Sequence, residues 1–109
     1  MQEIIEGVEK LAYEELERAN VKFGMFHSTH EGHSVIKEEI EETEEELKVV
    51  KQMLDSAWIN IRGNTVPHRS ILAIRNCSIK LAAEAIQVAS MAQKFIDSSK
   101  QWKVADINE

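Results

Sequence analysis

A glutamate run in the middle of the chain has the residue type and spacing of a cation site. Seven of the nineteen acidic residues lie between Glu38 and Glu46. On a helix, Glu39, Glu42 and Glu46 occupy positions i, i+3 and i+7, so their carboxylates share one face at the margin of the core. Mg²⁺ prefers carboxylate oxygens and keeps waters for substrate phosphates. The alternative is a solvated helix face, because glutamate is a strong helix former.

A second candidate for cation chemistry is Glu84, on the narrow polar strip of an otherwise apolar segment. Lys80 precedes it by about one turn and Gln87 follows by about one turn. A carboxylate on the polar strip of a mostly buried helix needs a partner. Glu84 either pairs with Lys80 along its own helix or faces the glutamates of the preceding helix and completes a cation cage.

The segment before the glutamate run collects three of the four histidines, His27, His30 and His33, beside Phe23 and Phe26. Histidines at this spacing are possible zinc ligands, although an intervening glycine disturbs a regular helical face and no cysteine supports the site. The other interpretations are stacking on or hydrogen bonding to a nucleobase, and simple capping of a helical bundle.

These residues require helices to position them, and the apolar spacing predicts three, over residues 2–20, 34–61 and 67–98. Residues 21–33 are predicted to be a loop, with Ser34 as the N-cap of the second helix. The third helix is apolar nearly all round, as in a helix buried on several sides. We therefore predict an all-α helical bundle of three main helices, whose four-helix-bundle-like core is completed by oligomerisation. The apolar stripe of the second helix comprises Ile36, Ile40, Leu47, Val50, Leu54, Trp58 and Ile61.

Length, charge and cysteine content narrow the class of protein. A chain of 109 residues predicts a single domain over residues 1–109, with a frayed tail from residue 99 in which Trp102 docks. Outside the glutamate run, thirteen basic residues face twelve acidic ones, so neither a nucleic-acid nor a membrane partner is expected. Cys77 is the single cysteine, which excludes an internal disulfide. No signal-peptide pattern or long apolar run is present, so a cytoplasmic location is expected.

Two sequence motifs together resemble a known family. Lys37-Glu38-Glu39-Ile40-Glu41-Glu42 is an E-E-x-x-E motif on an amphipathic helix, and an apolar helix with Leu81-Ala82-Ala83-Glu84-Ala85-Ile86-Gln87 follows it. This arrangement resembles the MazG-like all-α nucleoside triphosphate pyrophosphohydrolases. The segment from Phe26 to Gly32 is similar to short MazG-like proteins of phages and prophages of Gram-positive bacteria. The resemblance covers roughly residues 11–95.

The resemblance implies a Mg²⁺-dependent (Mn²⁺ also possible) homodimer or homotetramer that hydrolyses a (deoxy)nucleoside triphosphate to the monophosphate and pyrophosphate. Matched residue by residue, it assigns Glu39, Glu42 and Glu84 as metal ligands. Glu38 would be an accessory carboxylate that orients or deprotonates the attacking water. The predicted nucleotide-binding residues are Phe26, His27, His30, Lys80 and Gln87.

Two departures from the family pattern keep alternatives open. Gln87 stands where the family has an aspartate, and the two motifs lie further apart than is usual in the family. A neutral amide is a weaker ligand than a carboxylate. The alternatives to an enzyme are therefore a catalytically degenerate nucleotide-binding module and a protein-interaction module whose acidic helix meets a basic partner.

Overall fold

The computed structural model describes residues 1–102, and this part of the chain contains three helices and no strand. The helices are α1 (Gln2–Phe23), α2 (Thr29–Arg62) and α3 (His68–Ser99). The predicted all-α bundle of three main helices is thus confirmed, whereas its completion by oligomerisation stays a prediction. No helix in residues 1–102 combines the length and apolar content that crossing a membrane requires.

The start of α2 corrects the sequence prediction, because the helix begins five residues before the predicted Ser34. Its N-cap is Ser28, whose hydroxyl accepts a hydrogen bond from the Glu31 amide at 3.1 Å. The Glu31 carboxylate reaches back to the His27 amide at 3.1 Å. This reciprocal arrangement is a variant of the capping box, which satisfies the free N–H groups of a first helical turn. Ser34 therefore lies inside α2 rather than at its cap.

The other helix boundaries fall close to their predicted positions. α1 continues to Phe23 and ends where Gly24 adopts a φ of 72°. A positive φ is readily available to glycine and ends the regular helix there. α3 begins at His68, directly after Pro67, whose fixed φ suits a helix start. The predicted loop over residues 21–33 is thereby reduced to the short connection between Phe23 and Thr29.

The chain divides into two compact units. The terminal unit consists of Met1–Glu38 and the chain from Ile86 onward, and the hairpin unit consists of Glu39–Ala85. The terminal unit contains α1, the start of α2 and the end of α3. The hairpin unit contains the rest of α2 and the start of α3. The prediction of a single domain over residues 1–109 stays a prediction.

The terminal unit is held by buried apolar and polar groups around Phe26. The Phe26 amide donates to the Ser98 hydroxyl at 3.0 Å, and the Phe26 carbonyl accepts from the Trp102 indole at 3.1 Å. The Trp102 ring also meets Phe95 edge to face, with ring centroids 5.3 Å apart. The predicted docking of Trp102 is confirmed; residues 103–109 of the predicted frayed tail lie outside the described residues.

Gly32 lies where α2 packs closely against the Phe95 ring of α3. A Cβ at this position would collide with Phe95, with the ring Cε2 only 2.8 Å away, and would lie 3.2 Å from the Phe26 ring. Gly32 is itself buried within α2. The glycine is therefore required by close packing of the helix against an aromatic ring, and does not break the helix as the sequence interpretation assumed.

The hairpin unit packs residues 39–62 of α2 against residues 68–85 of α3. Within this unit, all of which is described, Ala57 is the one fully buried hydrophobic residue. Much of the predicted apolar stripe of α2 stays on the surface. Five of its members are between 40% and 61% exposed: Ile40, Leu47, Leu54, Trp58 and Ile61. This part of the stripe is therefore not the core of the hairpin within one chain.

Candidate metal centre

Three glutamates converge at one point of the hairpin unit. Glu39 and Glu42 lie three residues apart on α2, so both side chains point from the same face of the helix. Glu84 projects from α3 toward them. One carboxylate oxygen from each of the three residues lies within 4.8 Å of the other two. The hypothesis that Glu84 faces the glutamates of the preceding helix is thus confirmed as geometry, while metal binding stays a proposal.

The proximity of these carboxylates changes the titration of Glu42. A hydrogen bond with Glu84 is the main cause that raises the pKa of Glu42 above its ordinary value. Partial removal from water and repulsion by the Glu84 charge raise this pKa further, and the positive charge of Lys80 partly opposes them. Two of the three carboxylates, Glu42 and Glu84, are therefore in direct contact in this structure.

Lys80 and Glu46 form an ion pair beside the cluster. The Lys80 ammonium lies 2.9 Å from a Glu46 carboxylate oxygen, which joins α3 to α2 within the hairpin unit. The hydrogen bond and the charge of Glu46, together with the charge of Glu84, raise the pKa of Lys80. Lys80 thus bonds across the hairpin to Glu46, whereas the sequence had left open a pair with Glu84 along α3.

The donor set of the cluster suits a hard divalent cation. Three carboxylates offer the oxygen ligands that Mg²⁺ or Mn²⁺ accepts, with open positions for water and phosphate. In residues 1–102, these glutamates are the one group of three or more His, Cys, Asp or Glu side chains whose ligand atoms converge in this way. The zinc interpretation of His27, His30 and His33 therefore has no convergent ligand set in the described chain.

The remaining predicted site residues belong to the terminal unit. Glu38 is exposed on α2 and is not among the three convergent carboxylates. Phe26 is 5% exposed, and the Lys94 ammonium lies 4.6 Å from the centre of its ring. Burial lowers the pKa of Lys94. A substrate-binding role for Phe26 would therefore involve a core residue, and it stays a prediction.

The two histidines predicted to bind nucleotide have different surroundings. His27 is exposed, and its Nδ1 lies 3.2 Å from the Glu31 carboxylate that caps α2. His30 is also exposed and lines a cleft of about 630 Å³ in the terminal unit, together with His33 and Phe95. The cleft combines imidazole and hydroxyl groups at its rim with an aromatic side chain.

Gln87 has a partner that the sequence did not reveal. Its side-chain amide hydrogen bonds to the Glu15 carboxylate on α1, and this bond is the main cause that lowers the pKa of Glu15. Arg18, one turn further along α1, donates two more hydrogen bonds to Glu15, at 2.9 and 2.6 Å. No local pattern links residues 15 and 87, so sequence reasoning could not pair them. In contrast, the spacing of the glutamates predicts that Glu46 shares the helical face of Glu39 and Glu42.

Comparisons with protein-family models, with curated proteins and with solved structures find no match for this chain. The resemblance to MazG-like proteins therefore rests on the sequence motifs around Glu39 and Glu84 and on the segment from Phe26 to Gly32. The activity that these motifs imply is a proposal, and the convergent carboxylates are the structural observation that supports it.

Proposed function

We propose that this protein is a Mg²⁺-dependent (deoxy)nucleoside triphosphate pyrophosphohydrolase that releases a nucleoside monophosphate and pyrophosphate. The observation that supports this most directly is the convergence of Glu39, Glu42 and Glu84 from two helices to within 4.8 Å. Glu42 and Glu84 are also linked by a hydrogen bond, so ligand groups from the two helices are in direct contact. A bound divalent cation would satisfy both the oxygen donors and the charge.

In this proposal the three glutamates hold the cation. A cation held there would supply positive charge to orient the triphosphate and to offset the charge that develops on it during attack by water. Glu38, next to Glu39 in sequence, accepts a proton from the attacking water. The bond between the α-phosphorus and the bridging oxygen breaks, and pyrophosphate leaves. Lys80, held 2.9 Å from Glu46, adds positive charge on the substrate side of the cluster.

The test is pyrophosphate release from a panel of dNTPs and NTPs with Mg²⁺ or Mn²⁺. Glu39→Gln and Glu84→Gln each keep the side-chain shape but remove a charged ligand. We expect either to lower turnover at least about 100-fold, since even residues that only support metal ligands are worth about 10- to 100-fold. Glu45→Gln, an exposed glutamate of the same helix, is the matched control and should retain turnover. Full activity in both ligand variants would overturn the proposal.

A second candidate function is a nucleotide-binding module without turnover. The observation that favours it is the engagement of Gln87, which occupies the position of the family aspartate and hydrogen bonds to Glu15. The neutral Gln87 amide is hydrogen bonded to another carboxylate and brings no negative charge to a metal site. Tight, metal-dependent nucleotide binding without pyrophosphate release would favour this candidate, and rapid release would exclude it. The protein-interaction alternative predicts neither metal nor nucleotide binding.

We also propose that the protein works as a homodimer or homotetramer. Large apolar side chains on all three helices remain exposed in one chain, including Leu11, Leu54 and Ile79. Small domains bury a limited share of their surface, so association would cover such residues. A cytoplasmic location belongs to the same proposal.

A further inference from the structure

One row of residues on α2 has the spacing of a coiled-coil seam. Ile40, Leu47, Leu54 and Ile61 follow one another at intervals of seven residues, all within the hairpin unit. An apolar residue repeated every seven positions keeps one line of a helix facing a partner helix over many turns. Trp58, four residues after Leu54, widens the row on one side. We call these five residues the seam.

The seam is not used within the chain. Its members are 40–61% exposed, whereas the neighbouring row of Thr43, Val50 and Ala57 is buried or half-buried. A hairpin with one fully buried hydrophobic residue leaves most of its apolar side chains in water. Helical hairpins of this kind complete a core by packing against further helices. The seam therefore presents a continuous apolar surface for another helix.

Charge along the hairpin unit is strongly segregated. Six glutamates lie between Glu39 and Glu46, at the start of this part of α2, and Glu84 lies against them. From residue 47 to residue 80 the only acidic residue is Asp55. The six basic residues of that stretch are Lys48, Lys51, Arg62, Arg69, Arg75 and Lys80. Lys48 and Lys80 lie near the glutamates, Lys80 in an ion pair with Glu46, while Arg62 and Arg69 flank the turn. The glutamate end of the hairpin unit is therefore net acidic, and the turn end is net basic.

We propose that two copies of this chain associate through the seam in antiparallel orientation. This places the acidic end of each hairpin beside the basic turn end of the other, while the four apolar residues of one row meet those of the second copy. A parallel pair would bring acidic ends together at a cost from like charges. The inference rests on the homo-oligomer of the proposed function and names its surface and orientation.

A second copy of this chain fits this surface because the pattern of apolar and charged residues along the hairpin unit is self-complementary. A two-fold axis brings the same patch of each copy together, so every attractive pair occurs twice. The acidic segment then has a basic partner and the basic segment an acidic one within a single assembly. A purely basic partner would match only the glutamate end and would leave Arg62 and Arg69 at the turn end facing like charge.

Solution mass, measured by light scattering or sedimentation without metal or nucleotide, tests the surface. The unmodified chain should be dimeric or larger, and Leu54→Lys should raise the dissociation constant at least about tenfold while helix content is retained. Ile59→Lys is the matched control, because Ile59 is also an exposed apolar residue of α2, 70% exposed, but lies off the seam. Its assembly should be unchanged.

Several outcomes would reject association through the seam. None of them tests the enzyme proposal, which is measured separately as pyrophosphate release. A monomeric unmodified chain at tens of micromolar would reject both the seam and the oligomer. An oligomer that Leu54→Lys leaves intact, or that Ile59→Lys weakens equally, would keep the oligomer and reject the seam. Recovery only as a complex with a different, basic protein would also reject it.

Orientation is tested by cross-linking in a Cys77→Ala background. Ile40→Cys and Ile61→Cys mark the two ends of the seam, about 30 Å apart along the helix. With a short bis-maleimide, neither variant alone should form a cross-linked dimer, while a mixture of the two should. Self-linking of each variant alone would show a parallel pair and overturn the antiparallel proposal.

Discussion

The two units of this chain differ in how many residues they bury and in how many ionisable groups they bring together. Of the four fully buried hydrophobic residues in the described part of the chain, Leu16, Phe26 and Met91 belong to the terminal unit. The hairpin unit contributes Ala57 alone. The terminal unit also buries polar groups that are bonded, such as the Ser98 hydroxyl, which accepts from the Phe26 amide.

The hairpin unit instead concentrates ionisable groups. Its three convergent glutamates and the Lys80–Glu46 pair lie on helices that bury little apolar surface within one chain. Packing therefore stabilises the terminal unit, whereas closely spaced carboxylates oppose folding of the hairpin unit. We therefore expect substitutions in the terminal unit to lower stability by disturbing packing, and substitutions in the hairpin unit to change stability through charge.

The largest effect on stability is expected from Phe26→Ala. Removing a buried aromatic ring leaves a cavity and should cost about 3–5 kcal/mol of unfolding free energy, as measured by urea denaturation. Phe23→Ala is the matched control, since Phe23 is 70% exposed and its loss should stay within about 0.5 kcal/mol. Equal costs for the two variants would contradict the assignment of Phe26 to the core.

The stability of the hairpin unit should increase when a metal ion binds. If Glu39, Glu42 and Glu84 bind Mg²⁺, the ion at a hundredfold excess over its dissociation constant should stabilise the folded chain by about 2.7 kcal/mol. Thermal melting with and without Mg²⁺ measures this. The increase should disappear in Glu84→Gln and persist in Glu45→Gln. An unchanged melting temperature in the unmodified chain would contradict a metal centre.

The close packing at Gly32 is tested with a pair of glycines on different helices. Gly32→Ala should destabilise by about 1–3 kcal/mol, because the new methyl group would collide with Phe95. Gly7→Ala meets no atom within 4 Å and should be neutral or stabilising by up to about 1 kcal/mol, since alanine favours a helix interior. Chemical denaturation of both variants measures the difference; a stabilising Gly32→Ala would contradict the packing.

The smallest effect concerns the pH dependence of the hairpin unit without metal. Since the folded chain raises the pKa of Glu42, that residue contributes stability below its ordinary value of 4.5. The contribution is lost as pH rises through the raised pKa. Glu42→Gln should therefore gain melting temperature relative to the unmodified chain as pH rises from 4 to 7 in EDTA. A constant difference across this range would show that Glu42 titrates normally.

Sequence reasoning succeeded where one helix carries the whole signal. The 3.6-residue period gave three helices, and α3 at Pro67 was placed to within one residue. The spacing of Glu39 and Glu42 also fixed which face they share. The polar strip of the next helix left Glu84 either paired with Lys80 or facing these glutamates, and the structure shows the second arrangement.

It failed where the cause lies elsewhere in the chain. The glycine at position 32 predicts an interrupted helix, but the structure requires a glycine there because of the Phe95 ring, which is distant in sequence. The N-cap of α2 is a local exception, because Ser28 caps the helix through the Glu31 amide where Ser34 was predicted. The exposed seam could not be foreseen, because an apolar stripe shows that a face avoids water without showing which helix covers it.

The position of the two tryptophans has a spectroscopic consequence. Trp102 is half-buried, with its indole N–H bonded to the Phe26 carbonyl in the terminal unit, and Trp58 is 57% exposed in the hairpin unit. Each unit thus contains its own fluorophore, in a different environment. With Trp58→Phe and Trp102→Phe, emission during denaturation would follow one unit at a time. Coincident midpoints would mean that one cooperative transition unfolds both, and separate midpoints would give each unit its own stability.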